Sequence, residues 1–162
     1  MAGRILTRAF YERPTVEVAR GLLGYRLEFN GRGGTIREVE AYLPEGDEAA
    51  HAWRGRTART EVLFGKPGRA YVFLNYGVHH CLNVVAESEG VPGCVLIRSV
   101  EGLGDGPGKL TRAAGITLAE NGCDLTKGPL LIRQGEAPNE ILVTKRIGIR
   151  RSAELMLRFV AG

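Results

Sequence analysis

Ala70-Tyr71-Val72-Phe73-Leu74-Asn75-Tyr76-Gly77-Val78-His79-His80-Cys81-Leu82-Asn83-Val84-Val85-Ala86 is the stretch on which the fold turns. β-Branched and aromatic residues crowd both sides of one glycine, which predicts strands over Ala70 to Tyr76 and Val78 to Ala86 joined by a very tight hairpin at Gly77. Downstream, Cys94 to Val100 reads as a further strand. Upstream, Tyr25 to Phe29 and Thr35 to Leu43 read as a second pair, joined through Asn30-Gly31-Arg32-Gly33-Gly34, a hairpin signal. Pro14 opens a helix in which Val16, Ala19, Leu22 and Leu23 share a face, and Gly24 ends it. A short helix is predicted over Pro107 to Ala114, followed by strands near Pro129 to Arg133 and Glu140 to Ile149. Pro44 to Lys66 is polar and irregular, with a weak helical tendency around Asp47 to Ala50. Ser152 to Val160 holds helix-favouring residues in a run too short for propensity to decide. Strands outnumber helices and follow one another mostly as hairpins, so the expected class is α+β with a largely antiparallel sheet. No repeat or linker interrupts the chain, and residues 1–162 are expected to form a single domain.

The chain has 162 residues, 44% hydrophobic and 25% charged, which suits one well-packed core and argues against disorder. No apolar run approaches the ~18 residues that span a bilayer, and Met1 to Arg8 lacks the apolar segment of a secretory signal. Cys81, Cys94 and Cys123 form no C-x-x-C pair and cannot all be bridged, so a reducing compartment is expected. Glycine is 23 of 162 residues, about twice the usual ~7% share, which implies many tight turns. The net charge is +4, and 18 of the 22 basic residues are Arg. Arg makes planar, bidentate contacts to phosphate, which points weakly to nucleic acid.

Several groupings carry chemical potential. Along a strand, Glu38, Glu40 and Tyr42 point one way while Val39 and Ala41 point the other. Two carboxylates and a phenol on one face form either an ion-paired surface or the floor of a polar cleft. His51 lies in the long loop that follows, and Arg54, Arg56 and Arg59 sit within six positions as either a phosphate clamp or a solvated basic loop. On the central hairpin Tyr71, Phe73 and Asn75 share a face. Tyr76 falls at the turn, where it either folds back on its own hairpin or serves as a wedge between stacked bases. In His79-His80-Cys81, His79 and Cys81 share a face and could share a metal while His80 could not join them, but no second ligand pair has zinc-like spacing, so a metal site is not expected. Gly102 to Leu110 departs from a nucleotide-binding loop at Leu103, Pro107 and Leu110. Pro107 to Lys109 still opens a helix whose free N–H groups attract phosphate.

In series, Arg37 to Tyr42, Asp47 to His51, Arg54 to Glu61, Tyr71 to Gly77, His79 to Val85, Val95 to Arg98 and Gly106 to Leu110 resemble the alkylpurine (3-methyladenine) DNA glycosylase family. The likeness covers nearly the whole chain, from the helix before Gly24 to Arg158-Phe159. It implies a curved, partly barrel-like sheet with flanking helices and a protruding β-hairpin. It also implies a monofunctional glycosylase that flips alkylated purines of the 3-methyladenine and 7-methylguanine type out of duplex DNA and hydrolyses the N-glycosidic bond, with hypoxanthine a harder leaving group at the margin.

By that resemblance Glu40 is the general base, and Arg98, with the backbone near Ile147, holds the attacking water. Tyr42, His51 and Phe73 form the aromatic slot, with the His51 backbone reading the base edge. Asn83 lies on the pocket floor, near where a guanine amino group would project, and Tyr76 fills the gap left by the flipped nucleotide. Arg54, Arg56, Arg59 and Lys109 are expected to contact DNA. No cofactor, metal or membrane is implied. The partner is double-stranded DNA containing damaged purines, and the protein is expected to be a monomer, in the cytoplasm at the nucleoid in a bacterium or in the nucleus of a eukaryote. The sequence departs from the family at Phe73, where Tyr is common, at Asn75, where an aliphatic residue is usual, and in a short Arg98 to Gly106 segment. Two alternatives compete: a non-catalytic nucleic-acid-binding domain, which would need neither Glu40 nor Asn83, and a metal-dependent hydrolase using His51, His79 or Cys81.

Overall fold

A computed structural model describes residues 3–162. The chain opens with two short helices, α1 (Arg8–Tyr11) and α2 (Thr15–Leu22), and then builds a sheet from β1 (Arg26–Phe29), β2 (Arg32–Tyr42), β3 (Ala70–Asn75), β4 (His79–Ala86) and β5 (Gly93–Glu101). A two-residue strand β6 (Gly104–Asp105), helix α3 (Pro107–Ala114) and strands β7 (Leu131–Arg133), β8 (Ile141–Thr144) and β9 (Arg158–Ala161) complete it. The central path runs β3-β4-β5-β2-β1-β7, with β6 on β5 and β9 between β2 and β8. Every ladder is antiparallel. The sheet curls into a half barrel with the helices packed against it, an α+β fold as the sequence led one to expect.

The hairpins explain most of the register. β1 and β2 meet at Asn30-Gly31 alone, because Phe29 pairs with Arg32 and both turn residues take positive φ, 51° and 76°. That is the backbone a two-residue turn requires and Asn-Gly tolerates. The expected five-residue connection is therefore too long, and β2 begins at Arg32 rather than Thr35. The central hairpin is looser than a single glycine: Asn75 pairs with His79, leaving Tyr76, Gly77 and Val78 as the turn.

α2 starts one residue after Pro14 and buries Thr15, Val18, Ala19 and Leu22 against the sheet. Val18, absent from the expected face, is fully buried, and Val16 packs against the core only partly buried. Leu22, Leu27, Ile36, Val39, Leu82, Val95, Ile97, Leu110 and Phe159 lie in the main core.

Near the C-terminus one expectation fails, and the tail that propensity left undecided takes a definite form. The strand expected over Glu140 to Ile149 stops at Thr144, because Arg146 leaves the sheet and turns inward to Asp47. The helix formers of the tail sit in turns, and Arg158–Ala161 forms a strand instead, since β2 and β8 both offer it a ladder. The Pro44 to Lys66 segment holds two single 3-10 turns, His51–Arg54 and Glu61–Phe64, and no helix near Asp47.

Candidate active site

β2 and β5 together create the main feature. Between Ile36 and Val39 their register slips twice, leaving Arg37 on β2 and Arg98 on β5 without a direct opposite. Such bulges re-aim side chains. Arg37 turns out to solvent and pairs with Glu101 at 2.6 Å. Arg98 turns the other way, toward Glu38 and Glu40.

Glu40 has 0% of its surface exposed. Its Oε1 accepts from the Tyr42 hydroxyl at 2.9 Å, its Oε2 accepts from the Ile147 backbone N–H at 2.8 Å, and Arg98 Nη1 stands 3.7 Å from that same oxygen. A buried carboxylate survives only when paired or hydrogen-bonded, and all three partners are supplied by separate segments. Glu38 is shared by Arg98 Nε at 3.1 Å and Arg158 Nε at 2.7 Å. Burial pushes its carboxyl upward, but the Arg158 hydrogen bond and charge, with Arg98 beside them, outweigh it and hold the group below the ordinary range.

Above these carboxylates opens a cleft of about 400 Å³. Its lining includes Tyr42, His51, Tyr71, Phe73, Asn83 and Arg98, with Tyr76 and Asn75 from the hairpin and Ile147 to Ile149 from the opposite loop. Glu40 lies directly behind this lining. Desolvation, with the Arg59 charge in addition, lowers His51 to about 4, so its ring is neutral at pH 7 although one side remains open to solvent. His51 Nδ1 and the Tyr71 hydroxyl are 2.9 Å apart. Tyr71 is buried, its phenol pushed upward chiefly by desolvation, with the Arg59 charge and hydrogen bond opposing it. Asn83 donates from Nδ2 to the Tyr71 carbonyl at 3.2 Å and receives the Cys94 thiol at 3.8 Å. Burial pushes Cys81 up to about 11 and Cys94 up to about 12, so neither thiol of the floor is a nucleophile at neutral pH.

One structural pair was invisible to sequence reading. Arg146 and Asp47, both with fully buried side chains, are joined twice, at 2.6 and 2.8 Å. Arg146 also donates to the Ala41 and Ser152 carbonyls and lies 4.7 Å from the centre of the Tyr42 ring. It thereby pins the loop carrying Ile147 against Glu40 and backs Tyr42 from behind. The two residues are 99 positions apart, and no local pattern marks their pairing.

Tyr76 is 86% exposed and has φ of 52°. It does not fold back on the hairpin. The three arginines of the loop diverge: Arg54 is exposed and unpaired among the described residues, Arg56 meets Glu61 at 3.4 Å above Phe64, and Arg59 lies 5.4 Å from the Phe73 ring. Lys109 is exposed in the first turn of α3. His79 packs tightly on Gly108, where even a methyl group would collide with the imidazole. Among the described residues no group of His, Cys, Asp and Glu could hold a metal ion, and no helix is long and apolar enough to cross a membrane.

A carboxylate buried behind an aromatic cleft, with an exposed aromatic hairpin tip beside it, is suited to hydrolysing a bond in a planar, ring-bearing substrate. Comparison with known proteins narrows that class. A family model described as methylpurine-DNA glycosylase matches residues 9–103 and 101–162. Curated proteins named "Putative 3-methyladenine DNA glycosylase" are similar over most of their length. The one from Rhodopseudomonas palustris is 44% identical, covering 97% of this chain and 84% of its own. That from Methanoculleus marisnigri is 46% identical, covering 95% and 93%, and that from Sodalis glossinidius 43%, covering 98% of each. The chain belongs to the methylpurine-DNA glycosylase family. It is accordingly a DNA glycosylase of alkylation repair, an N-glycosyl hydrolase of the 3-methyladenine DNA glycosylase class that acts on DNA.

Proposed function

We propose that the cleft receives one alkylated purine nucleotide rotated out of duplex DNA, and that Glu40 is the base for hydrolysis of its N-glycosidic bond. The observation that carries this reading is the seating of Glu40. It is held by Tyr42, Ile147 and Arg98 immediately behind a cleft lined by Tyr42, His51 and Phe73. A base stacked in a duplex is out of reach of any side chain, so chemistry at its sugar requires extrusion. Tyr76, exposed at the hairpin tip, enters the stack and offsets part of the unstacking energy.

N3- and N7-methylated purines carry positive charge. Electron-rich rings in the slot attract them by about 0.5–2 kcal/mol, and the neutral His51 ring adds no opposing charge. Such bases are already good leaving groups. A water on the cleft side bridges Glu40 Oε2 and Arg98 Nη1, which stand 3.7 Å apart, too far for a direct hydrogen bond. Glu40 takes a proton from that water as its oxygen bonds to the anomeric carbon. The C–N bond breaks with its electron pair going to the base, which leaves neutral, and an abasic site remains. Among the described residues no Lys lines the cleft, so no Schiff base forms there and the enzyme is monofunctional. Asn83 lies on the floor, near where a guanine 2-amino group would project. Because a cationic base is the better leaving group, lesions of the 3-methyladenine and 7-methylguanine type are the substrates, with neutral hypoxanthine excised less well. Arg54, Arg56, Arg59 and Lys109 meet phosphates, and the protein works as a single-domain monomer.

The test is excision from a duplex carrying N-methylated purines. Removing general-base catalysis lowers rates by about 10²–10⁴-fold, so Glu40→Gln should bind the lesion duplex as tightly as the unaltered protein and release base at least 100-fold more slowly. Equal release by both proteins rejects Glu40 as the base.

A further inference from the structure

Arg158 lies on β9, does not line the cleft, and stands opposite Glu40 in the β2–β9 ladder. Its Nε nevertheless reaches past Glu40 to Glu38, whose Oε2 it shares with Arg98 Nε. All three side chains are mostly buried, at 22%, 12% and 15% exposure for Arg158, Glu38 and Arg98, so solvent screens their charges weakly. We propose that Arg158 is a positioning residue that acts through Glu38 to aim Arg98 at Glu40. The inference rests on the reading of Glu40 given above and extends it to a strand remote from the cleft.

The argument is one of competition. Arg98 is the bulged residue of β5: the slip turns it inward, but no cross-strand partner fixes which of the two carboxylates its guanidinium faces. Two carboxylates stand within its reach, Glu38 through Nε at 3.1 Å and Glu40 through Nη1 at 3.7 Å. Guanidinium groups prefer a bidentate grip on a single carboxylate. Glu38 alone would take that grip and draw Arg98 away from Glu40. With Arg158 already bonded to the same oxygen at 2.7 Å, Glu38 is half compensated, and only the Nε edge of Arg98 is engaged there. The Nη edge is left facing Glu40 and the cleft. Two cations and two anions balance in the cluster, so removing Arg158 leaves a net negative charge beside the proposed base.

The experiment compares Arg158→Met, Arg158→Lys, Glu38→Gln, the double variant Arg158→Met/Glu38→Gln and Glu40→Gln. Single-turnover base release, affinity for methylated duplex DNA and thermal melting are measured for each. Misplacing a reacting group by about 1 Å can cost 10²-fold, and Arg158→Met, which misdirects Arg98 only partly, is expected to release base about tenfold more slowly with affinity within about twofold of the parent. Arg158→Lys, which restores a cation beside Glu38, should recover most of the rate. The double variant should be no slower than the slower single, because both changes act along one path. An unchanged rate in Arg158→Met overturns the proposal. So does a double variant whose loss is the product of the two single losses. A failure of Arg158→Lys to recover rate while melting as the parent does would also overturn it. Glu40→Gln separates the two readings. If it still releases base, the assignment of the base fails; if it is inactive while Arg158→Met is fully active, only the positioning role fails.

Discussion

Single side chains in this enzyme take their chemistry from irregularities in the backbone. Arg98 is aimed inward by the slip in β5, while Arg37, its counterpart on β2, is sent outward to Glu101 by the same defect. The alternation of Glu38, Glu40 and Tyr42 on one face is legible in the sequence, and the Tyr42–Glu40 hydrogen bond and the shared Arg98 agree with it. Alternation alone does not say which of the two carboxylates sits behind the cleft, since both have the same spacing; the family resemblance is what singled out Glu40. His51 shows how burial controls charge. Its folded value near 4 lies below an unfolded value near 6.5, so protonation favours the unfolded chain. The neutral ring therefore contributes stability above pH 6.5 that is lost as pH falls toward 4. Melting temperature should decline through that window, and His51→Gln should flatten the decline. An identical decline in the variant would show that His51 is not its source.

At the scale of the elements, the central hairpin trades local stability for display. Tyr76 occupies the left-handed region at φ 52°, a conformation that costs a side-chain-bearing residue about 1–2 kcal/mol. Glycine adopts it freely but gives up about 0.5–1 kcal/mol of backbone entropy. Tyr76→Gly should therefore melt no lower than the parent while excising methylpurines more slowly, because the ring proposed to enter the base stack is gone. A variant that excises at the parental rate would remove Tyr76 from the flipping step. The opposite wall of the cleft is held differently. The loop that carries Ile147 has no ladder, and the buried Asp47–Arg146 pair anchors it instead. Removing one partner of such a pair costs about 3–5 kcal/mol, because the other charge is left buried and uncompensated. That anchor explains why β8 ends early: a strand continuing through Arg146 would leave Asp47 uncompensated in the interior.

For the whole molecule, a net charge of +4 is modest, and its distribution matters more than its size. Arg54 and Lys109 are exposed without an ion-pair partner among the described residues, whereas Arg56 is partly engaged by Glu61. If each free cation neutralises one phosphate, its removal lowers the slope of log affinity against log salt by about 0.9. Arg54→Gln and Lys109→Gln should each show that loss on duplex DNA with or without a lesion, and Arg56→Gln a smaller one. A slope unchanged in both of the first two variants would place the DNA path elsewhere.

Local pattern was enough for the α+β class, the two main hairpins and α3, because period-two alternation and Asn-Gly turns are properties of neighbouring residues; the residues around the cleft came from the family resemblance of a series of ordered motifs. It failed where long-range partners compete with local preference. The tail carries helix formers, yet its end becomes β9, because β2 and β8 present unpaired backbone on either side of it. The Asp47–Arg146 anchor, the Ile147 N–H on Glu40 and the Arg158–Glu38–Arg98 cluster each join residues 60 to 120 positions apart. No spacing rule reaches across such intervals. The chain by itself thus specified its chemical groups and the strands that bear them. Only the curling of the sheet, which brings β9 and the 145–149 loop onto β2, decided how those charges balance and where they point.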